Sequence, residues 1–190
     1  WRERFPDCSC LGLEPNPDQA EICRDKGFDV SECFAENCNE ISGKADLAVS
    51  LEVIEHVHNP LDFCRSILSL LRPGGRALLS GLCGDGFDIR VLWNHSRSIT
   101  PPQHINCPSL KGAFRLMELA GFTSIRAFTP GRLDVDIVSK AVRQNPSILK
   151  DYHFVQVLLG RDNDFLDPFQ DFIAENGLSS HLWIWACRPK

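Results

Sequence analysis

Positive charge is in short supply in this sequence. Its 20 Lys and Arg residues are outnumbered by 25 Asp and Glu, giving a net charge of -5. Arg2 with Arg4 is too short a basic cluster to neutralise a phosphate backbone, so nucleic acid is not expected as the main partner. Paired cysteines are missing as well. The nine cysteines are scattered, odd in number and contain no CxxC, which excludes a zinc ribbon and a redox dithiol. Most are expected to act as small buried hydrophobes, with Cys8 and Cys10 alternating along a strand and Cys64 in a helix. A reducing cytoplasmic setting fits that usage. No apolar run reaches the length of a membrane span and no signal-peptide pattern is visible, so no membrane partner is expected. Internal repeats, low-complexity tracts and a second-domain linker are absent too. The chain opens on Trp1 rather than Met, from which a processed or missing start is expected.

What is present reads as one domain over residues 1–190, a length able to enclose a single sizeable core. "SCLGL" (9–13) is a short strand, and Asn16 with Pro17 then provides a cap and first-turn proline for a helix that Gly27 stops. "FDVSECF" is another short strand. "ADLAVSL" (45–51) is nearly continuously apolar, which suits a strand buried on both faces. "NPLDFCRSILSLLRPGG" is the clearest helix, capped by Asn59, with Leu61, Cys64, Ile67, Leu68 and Leu71 on one face and Pro73, Gly74 and Gly75 at its end. "RALLSGL" returns as a strand. A helix over 109–120 closes at Gly121, a strand follows near 123–129, and "HLWIWAC" (181–187) is the last strand. Two helices are expected within roughly 146–176, in a helical insertion spanning 132–176. Strands alternating with helices imply an α/β sheet with helices on both faces. The one long irregular segment, 82–108, is expected to be a binding loop.

Ligands of open α/β sheets collect beyond the carboxyl ends of the strands. Glu14 is the first polar residue after "CLGL" and can bind both hydroxyls of a ribose, or else favour the following helix start. Glu36 follows the next strand, where an adenine edge or plain solvent are its alternatives. Ser50, Leu51 and Glu52 end the 45–51 strand. The stretch "SLEVIEHVHNPLDF" then packs Glu52, Glu55, His56 and His58 closely together. Glu55 suits a helix start, and His58 belongs to the solvated turn before Asn59.

Together "LGLEPNP", "ADLAVSLEVIEHVHNP", "LRPGGRALLSGL" and "SLKGAFRLMELAGF" occur in the order and spacing of class I S-adenosylmethionine-dependent methyltransferases. The chain resembles the branch with an E-V-hydrophobic-E-H-V signature, and "PPQHIN" and "TPGRLDVDIV" are similar to a bacterial subset of it. The resemblance implies a Rossmann-like sheet and S-adenosylmethionine as cofactor. It implies a cofactor site at Glu14, Pro15, Ala35, Glu36, Ser50, Leu51 and Glu52. The acceptor side falls in 83–108, with Trp93, Pro102 and His104 as substrate-binding residues. His56 and His104 are the catalytic candidates, because methyl transfer requires the acceptor's proton to be removed. Some relatives hold a divalent ion through such letters, here Glu52, Glu55, His56 and His104; no metal is assigned. The implied function is O-methylation of a small acceptor such as a sugar or nucleotide-linked sugar. The alternative is a non-catalytic binding or scaffold member of the same fold.

One departure accompanies the resemblance. The family's first strand and its D-x-G-x-G-x-G loop lie further upstream than the thirteen residues before Glu14 allow. "GLCGDGFD" (81–88) follows the wrong strand and is expected to be a flexible loop. An N-terminally incomplete sheet with an open slot is therefore expected, with poor cofactor binding by this chain alone.

Overall fold

The computed structural model describes residue 4 and residues 6–190. Trp1, and Arg2 of the short basic cluster, lie outside the described residues. Strand β1 (Leu11–Leu13) pairs in parallel with β2 (Asp29–Ser31), Leu11 facing Asp29 and Leu13 facing Ser31. Between them runs α1 (Pro17–Asp25). Asn16 Oδ1 accepts the backbone N–H groups of Asp18 at 3.0 Å and Gln19 at 3.2 Å, and Pro17 takes the first helical position, where a missing N–H costs nothing.

The larger sheet holds β3 (Ala45–Ser50), β4 (Leu71–Leu82), β5 (Thr123–Phe128) and β6 (His181–Cys187) in the order β3-β4-β6-β5. β3 and β4 are parallel and joined by α2 (Pro60–Leu70), whereas β6 runs antiparallel to both β4 and β5. On β6 the pleat separates two populations: Leu182, Ile184 and Ala186 are fully buried, while His181, Trp183 and Trp185 are half-buried on the other face. The buried set meets Ala77 and Leu79 of β4, Phe63, Cys64 and Ile67 of α2, and Ala113 and Met117 of α4 (Leu110–Ala120). Each leucine, isoleucine, phenylalanine or methionine of this set contributes roughly 1.5–3 kcal/mol by leaving water. A second cluster joins α3 (Phe87–Leu92) to α5 (Asp134–Gln144) through Val91, Leu92, Val138 and Leu149. Helices α6 (His153–Leu159) and α7 (Asn163–Glu175) complete the chain before β6.

Several sequence-based expectations change. The 82–108 segment contains α3, and α5 forms ahead of the two helices expected after residue 146. "GLCGDGFD" is packed rather than loose: a Cβ at Gly86 would lie 2.4 Å from Ser180 Cα, and one at Gly84 2.6 Å from the Cys107 carbonyl oxygen. β3 is only half-buried, with Val49 54% exposed, because among the described residues it has a strand neighbour on one side only. α2 stops at Leu70 and β4 begins at Leu71, with a register break between the Ala45–Leu71 and Leu47–Arg76 pairs that absorbs Pro73, Gly74 and Gly75. Cys8 and Cys10 are exposed and precede β1, whereas Cys38, Cys64 and Cys83 are buried. Burial pushes the Cys64 thiol up to about 12, which makes it inert.

Candidate active site

A cavity of about 970 Å³ lies between β1 and β3, which are not bonded to each other. Five of the expected cofactor residues line it: Pro15, Ala35, Glu36, Ser50 and Leu51. They reach it from the carboxyl ends of β1 and β3 and from the 3₁₀ turn Ala35–Asn37 after β2. His56, His58 and Asn59 border the same space. Glu14 stands one residue before Pro15 and is occupied locally: its Oε1 accepts the Asn16 N–H at 2.9 Å, and its own N–H donates to the Ser31 carbonyl at 3.1 Å. That carboxylate steadies the turn into α1 while leaving Oε2 uncommitted among the bonds described.

Glu52 turns away from the cavity. Its backbone sits at φ 53°, a left-handed conformation uncommon for a side-chain-bearing residue. Ser80 stabilises it twice: the Glu52 N–H points at Ser80 O and Oγ, both at 3.2 Å, and Ser80 Oγ donates to Glu52 Oε1 at 2.6 Å. His181 Nε2 lies 3.3 Å from the same Oε1. Trp183 Nε1 donates to that imidazole nitrogen at 3.2 Å. One nitrogen cannot accept from the indole and donate to the carboxylate together, so whether Nε2 carries hydrogen decides which of the two it bonds. Sequence reading missed both Ser80 and His181. Their only signal was position, at the carboxyl end of β4 and the amino end of its antiparallel neighbour.

Glu55 is the buried member of the group, 2% exposed, and its Oε2 has no hydrogen-bond partner. Burial pushes its carboxyl above the usual range, a backbone bond opposes this, and the charge of Glu52 adds to the rise. It fits only because residue 81 is glycine: a Cβ there would lie 2.6 Å from Ile54 Cγ2 and 2.9 Å from Glu55 Oε2. The Glu55 carbonyl accepts Ile105 N–H at 2.8 Å and Asn106 N–H at 3.1 Å, and the Asn106 amide donates to the Val57 carbonyl. These bonds strap the 100–106 loop onto the Glu55–Val57 turn. The strap places the His56 and His104 rings 4.9 Å apart between centroids.

The expected acceptor-side residues do not converge. His104 meets the His56 ring, Trp93 is 77% exposed at the end of α3 with φ 47°, and none of His104, Trp93 and exposed Pro102 borders the cavity itself. Two buried carboxylates stand apart from this site, Asp134 of α5 held by α7 and the segment before β6, and Asp88 of α3 held by the loop that follows it. Ser179 Oγ and the Gln170 amide donate to Asp134 Oδ2 at 2.7 and 3.0 Å, Ser180 N–H donates to Asp134 Oδ1 at 2.8 Å, and Ser98 Oγ donates to Asp88 Oδ2 at 2.6 Å. Asp88 is fully buried and its Oδ1 is unpartnered. No helix among the described residues is long and apolar enough to cross a membrane.

This geometry has counterparts. The chain is 48% identical over 105 residues to the mitochondrial ubiquinone biosynthesis O-methyltransferase of Arabidopsis thaliana, covering 46% of this chain and 32% of that protein. It is 27% identical over 126 residues to the tRNA U34 carboxymethyltransferase of Mannheimia succiniciproducens, covering 66% and 35%. The chain thus spans about a third of the length of the curated relatives it matches. Among solved structures, an S-adenosylmethionine-dependent methyltransferase of Thermotoga maritima superposes with a TM-score of 0.63 at 17% identity, over 94% of this chain and 72% of that one. A phosphoethanolamine N-methyltransferase of Haemonchus contortus, solved with S-adenosylhomocysteine, gives 0.57 at 14% identity, over 100% and 46%. These likenesses establish the Rossmann-like α/β fold of class I methyltransferases. The methyltransferase domain model matches residues 2–127, the part that carries β1 to β4, the cavity and the strapped histidines, and the chain belongs to that methyltransferase domain family.

Proposed function

We propose that this chain carries out S-adenosylmethionine-dependent methyl transfer to an oxygen of a small acceptor, a sugar or nucleotide-linked sugar hydroxyl. The observation that carries the reading is the cavity at the carboxyl ends of β1 and β3, lined by Pro15, Ala35, Glu36, Ser50 and Leu51 with His56 at its border. Oxygen as the acceptor atom is supported by the plant relative, which is named an O-methyltransferase. The net charge of -5 favours a small acceptor over a nucleic acid.

In this reading Glu14 Oε2 meets the ribose, Ala35 and Glu36 meet the adenine, and Ser50 and Leu51 face the methionine part. The 83–108 segment forms the acceptor side, and 132–176 is a helical addition before the last strand. Bound S-adenosylmethionine supplies an activated methyl on a sulfonium centre. The chain's own work is to align the acceptor with that methyl and to take its proton, tasks that this reading gives to His56 and His104.

A divalent ion is the second reading, favoured by one observation: Glu55, His56 and His104 each offer a ligand atom, all within 4.8 Å of one another, and Glu55 Oε2 is unpartnered. His104 does not fit that role. Its Nδ1 accepts the Thr100 N–H at 3.1 Å, so the remaining nitrogen of the neutral ring carries hydrogen and has no lone pair to give. Glu52, turned toward Ser80 and His181, does not replace it. No step is routed through a metal.

Calorimetry with S-adenosylhomocysteine tests the cofactor reading. Binding is expected of a chain that also carries the family's first strand and glycine loop, and is weakened roughly tenfold or more in its Glu14→Ala variant, since a bond to a charged acceptor contributes about 1.5–3 kcal/mol. No binding, or binding indifferent to Glu14, removes it.

A further inference from the structure

The 100–106 loop presents the two imidazoles with opposite backbone partners. His56 Nδ1 lies 2.9 Å from the Gln103 carbonyl oxygen. A carbonyl only accepts, so Nδ1 bears the hydrogen and, in the neutral ring, Nε2 keeps its lone pair. His104 is the reverse. Its Nδ1 receives the Thr100 N–H at 3.1 Å, so Nδ1 is bare and Nε2 carries the hydrogen. The loop cannot readily change this pattern. Gln103 and His104 N–H groups both close on the Thr100 carbonyl at 2.9 and 3.1 Å, and the next two N–H groups are held by Glu55.

We propose that this loop sorts the two histidines into opposite neutral tautomers, making His56 the proton acceptor and His104 a hydrogen-bond donor. This inference rests on the methyl-transfer reading and gives its two histidines separate tasks. His104 Nε2–H orients the acceptor oxygen through one of its lone pairs. The acceptor O–H bond breaks and its proton passes to His56 Nε2, which becomes imidazolium. The oxygen bonds to the methyl carbon as the carbon–sulfur pair returns to sulfur, so charge and atoms balance. Gln103 and Thr100 act as positioning residues through their backbone groups alone. The same assignment makes Glu55, His56 and His104 a proton-handling group rather than a cation site.

Nitrogen-15 NMR on histidine-labelled full chain at alkaline pH, where both rings are neutral, reads the tautomers directly. His56→Asn and His104→Gln each delete one signal set and so assign the spectra. The expected result is a protonated Nδ1 with a bare Nε2 for His56, and the opposite for His104. The same tautomer in both rings, or the exchanged pair, overturns the inference. A second measurement adds Mn²⁺ alone: saturable, equimolar broadening of both rings overturns it, and their persistence through the titration supports it. The two levels of reading separate cleanly. Absent S-adenosylhomocysteine binding removes the methyl-transfer reading and leaves the tautomers as measured, while matching tautomers remove this inference and leave cofactor binding untouched.

Discussion

Glu52 and His181, far apart in the sequence, meet at 3.3 Å across the carboxyl end of β4, and Ser80 holds the same carboxylate oxygen at 2.6 Å. The two contacts differ in weight. Ser80 is buried and serves both the backbone and the side chain of Glu52, whereas the His181 contact is half open to water. Ser80→Ala is expected to cost about 1 kcal/mol of stability, and His181→Ala less than about 0.5 kcal/mol. Urea denaturation of both variants checks the ranking, and a larger loss in His181→Ala contradicts it.

Gly81 has no room for a side chain. Alanine would press a methyl group against Ile54 and the Glu55 carboxyl, both of which are buried. Overpacking of this kind costs roughly 1–3 kcal/mol. Thermal denaturation should show the loss, and the Glu55-held 100–106 loop should gain faster amide hydrogen exchange at Ile105 and Asn106.

Asp88 predicts a pH dependence of stability. Burial pushes its carboxyl up, the Ser98 hydroxyl pulls it down, and the nearby Asp134 charge raises it further. A raised folded-state value means the folded chain holds this proton more tightly than the unfolded chain, whose Asp titrates near about 3.9. The stabilisation is therefore complete below that value and is lost as pH climbs through the folded one. Asp88→Asn mimics the protonated form. Its melting temperature should exceed the parent's at pH 8, with the gap closing near pH 4; a gain of about 1 kcal/mol corresponds to roughly 2–4 °C at this size. An equal gap at both pH values refutes the assignment.

Asn59 caps α2, its Oδ1 accepting Leu61 and Asp62 N–H groups at 3.1 and 3.2 Å. Asn59→Ala should cost about 1 kcal/mol and Asn59→Gly a few tenths. Chemical denaturation distinguishes them.

Local chemistry was the part of this fold most readable in the sequence. Asn16–Pro17 and Asn59–Pro60 begin helices where their side-chain acceptors and fixed φ place them, and Gly121 at φ 101° ends α4. The strand ends at Leu13 and Ser50 likewise put Pro15, Ser50 and Leu51 on the cavity. Partners set by long-range pairing were not readable. His181 meets Glu52 only because β6 enters between β4 and β5, an insertion no local pattern encodes. Trp93, attractive as a loop aromatic, is instead carried away from the cavity by α3, a helix too short to show a clear period. The half-buried β3 misled for a related reason, since apolar continuity reports what a strand can bury and not which neighbours it has.

The strap between Glu55–Val57 and the 100–106 loop makes the site mechanically indivisible. Peeling the loop back would strip His56 of its Gln103 partner and carry His104 off with it. Loop position and imidazole pairing are then a single variable, so any motion that frees residues 100–106 also separates the two rings.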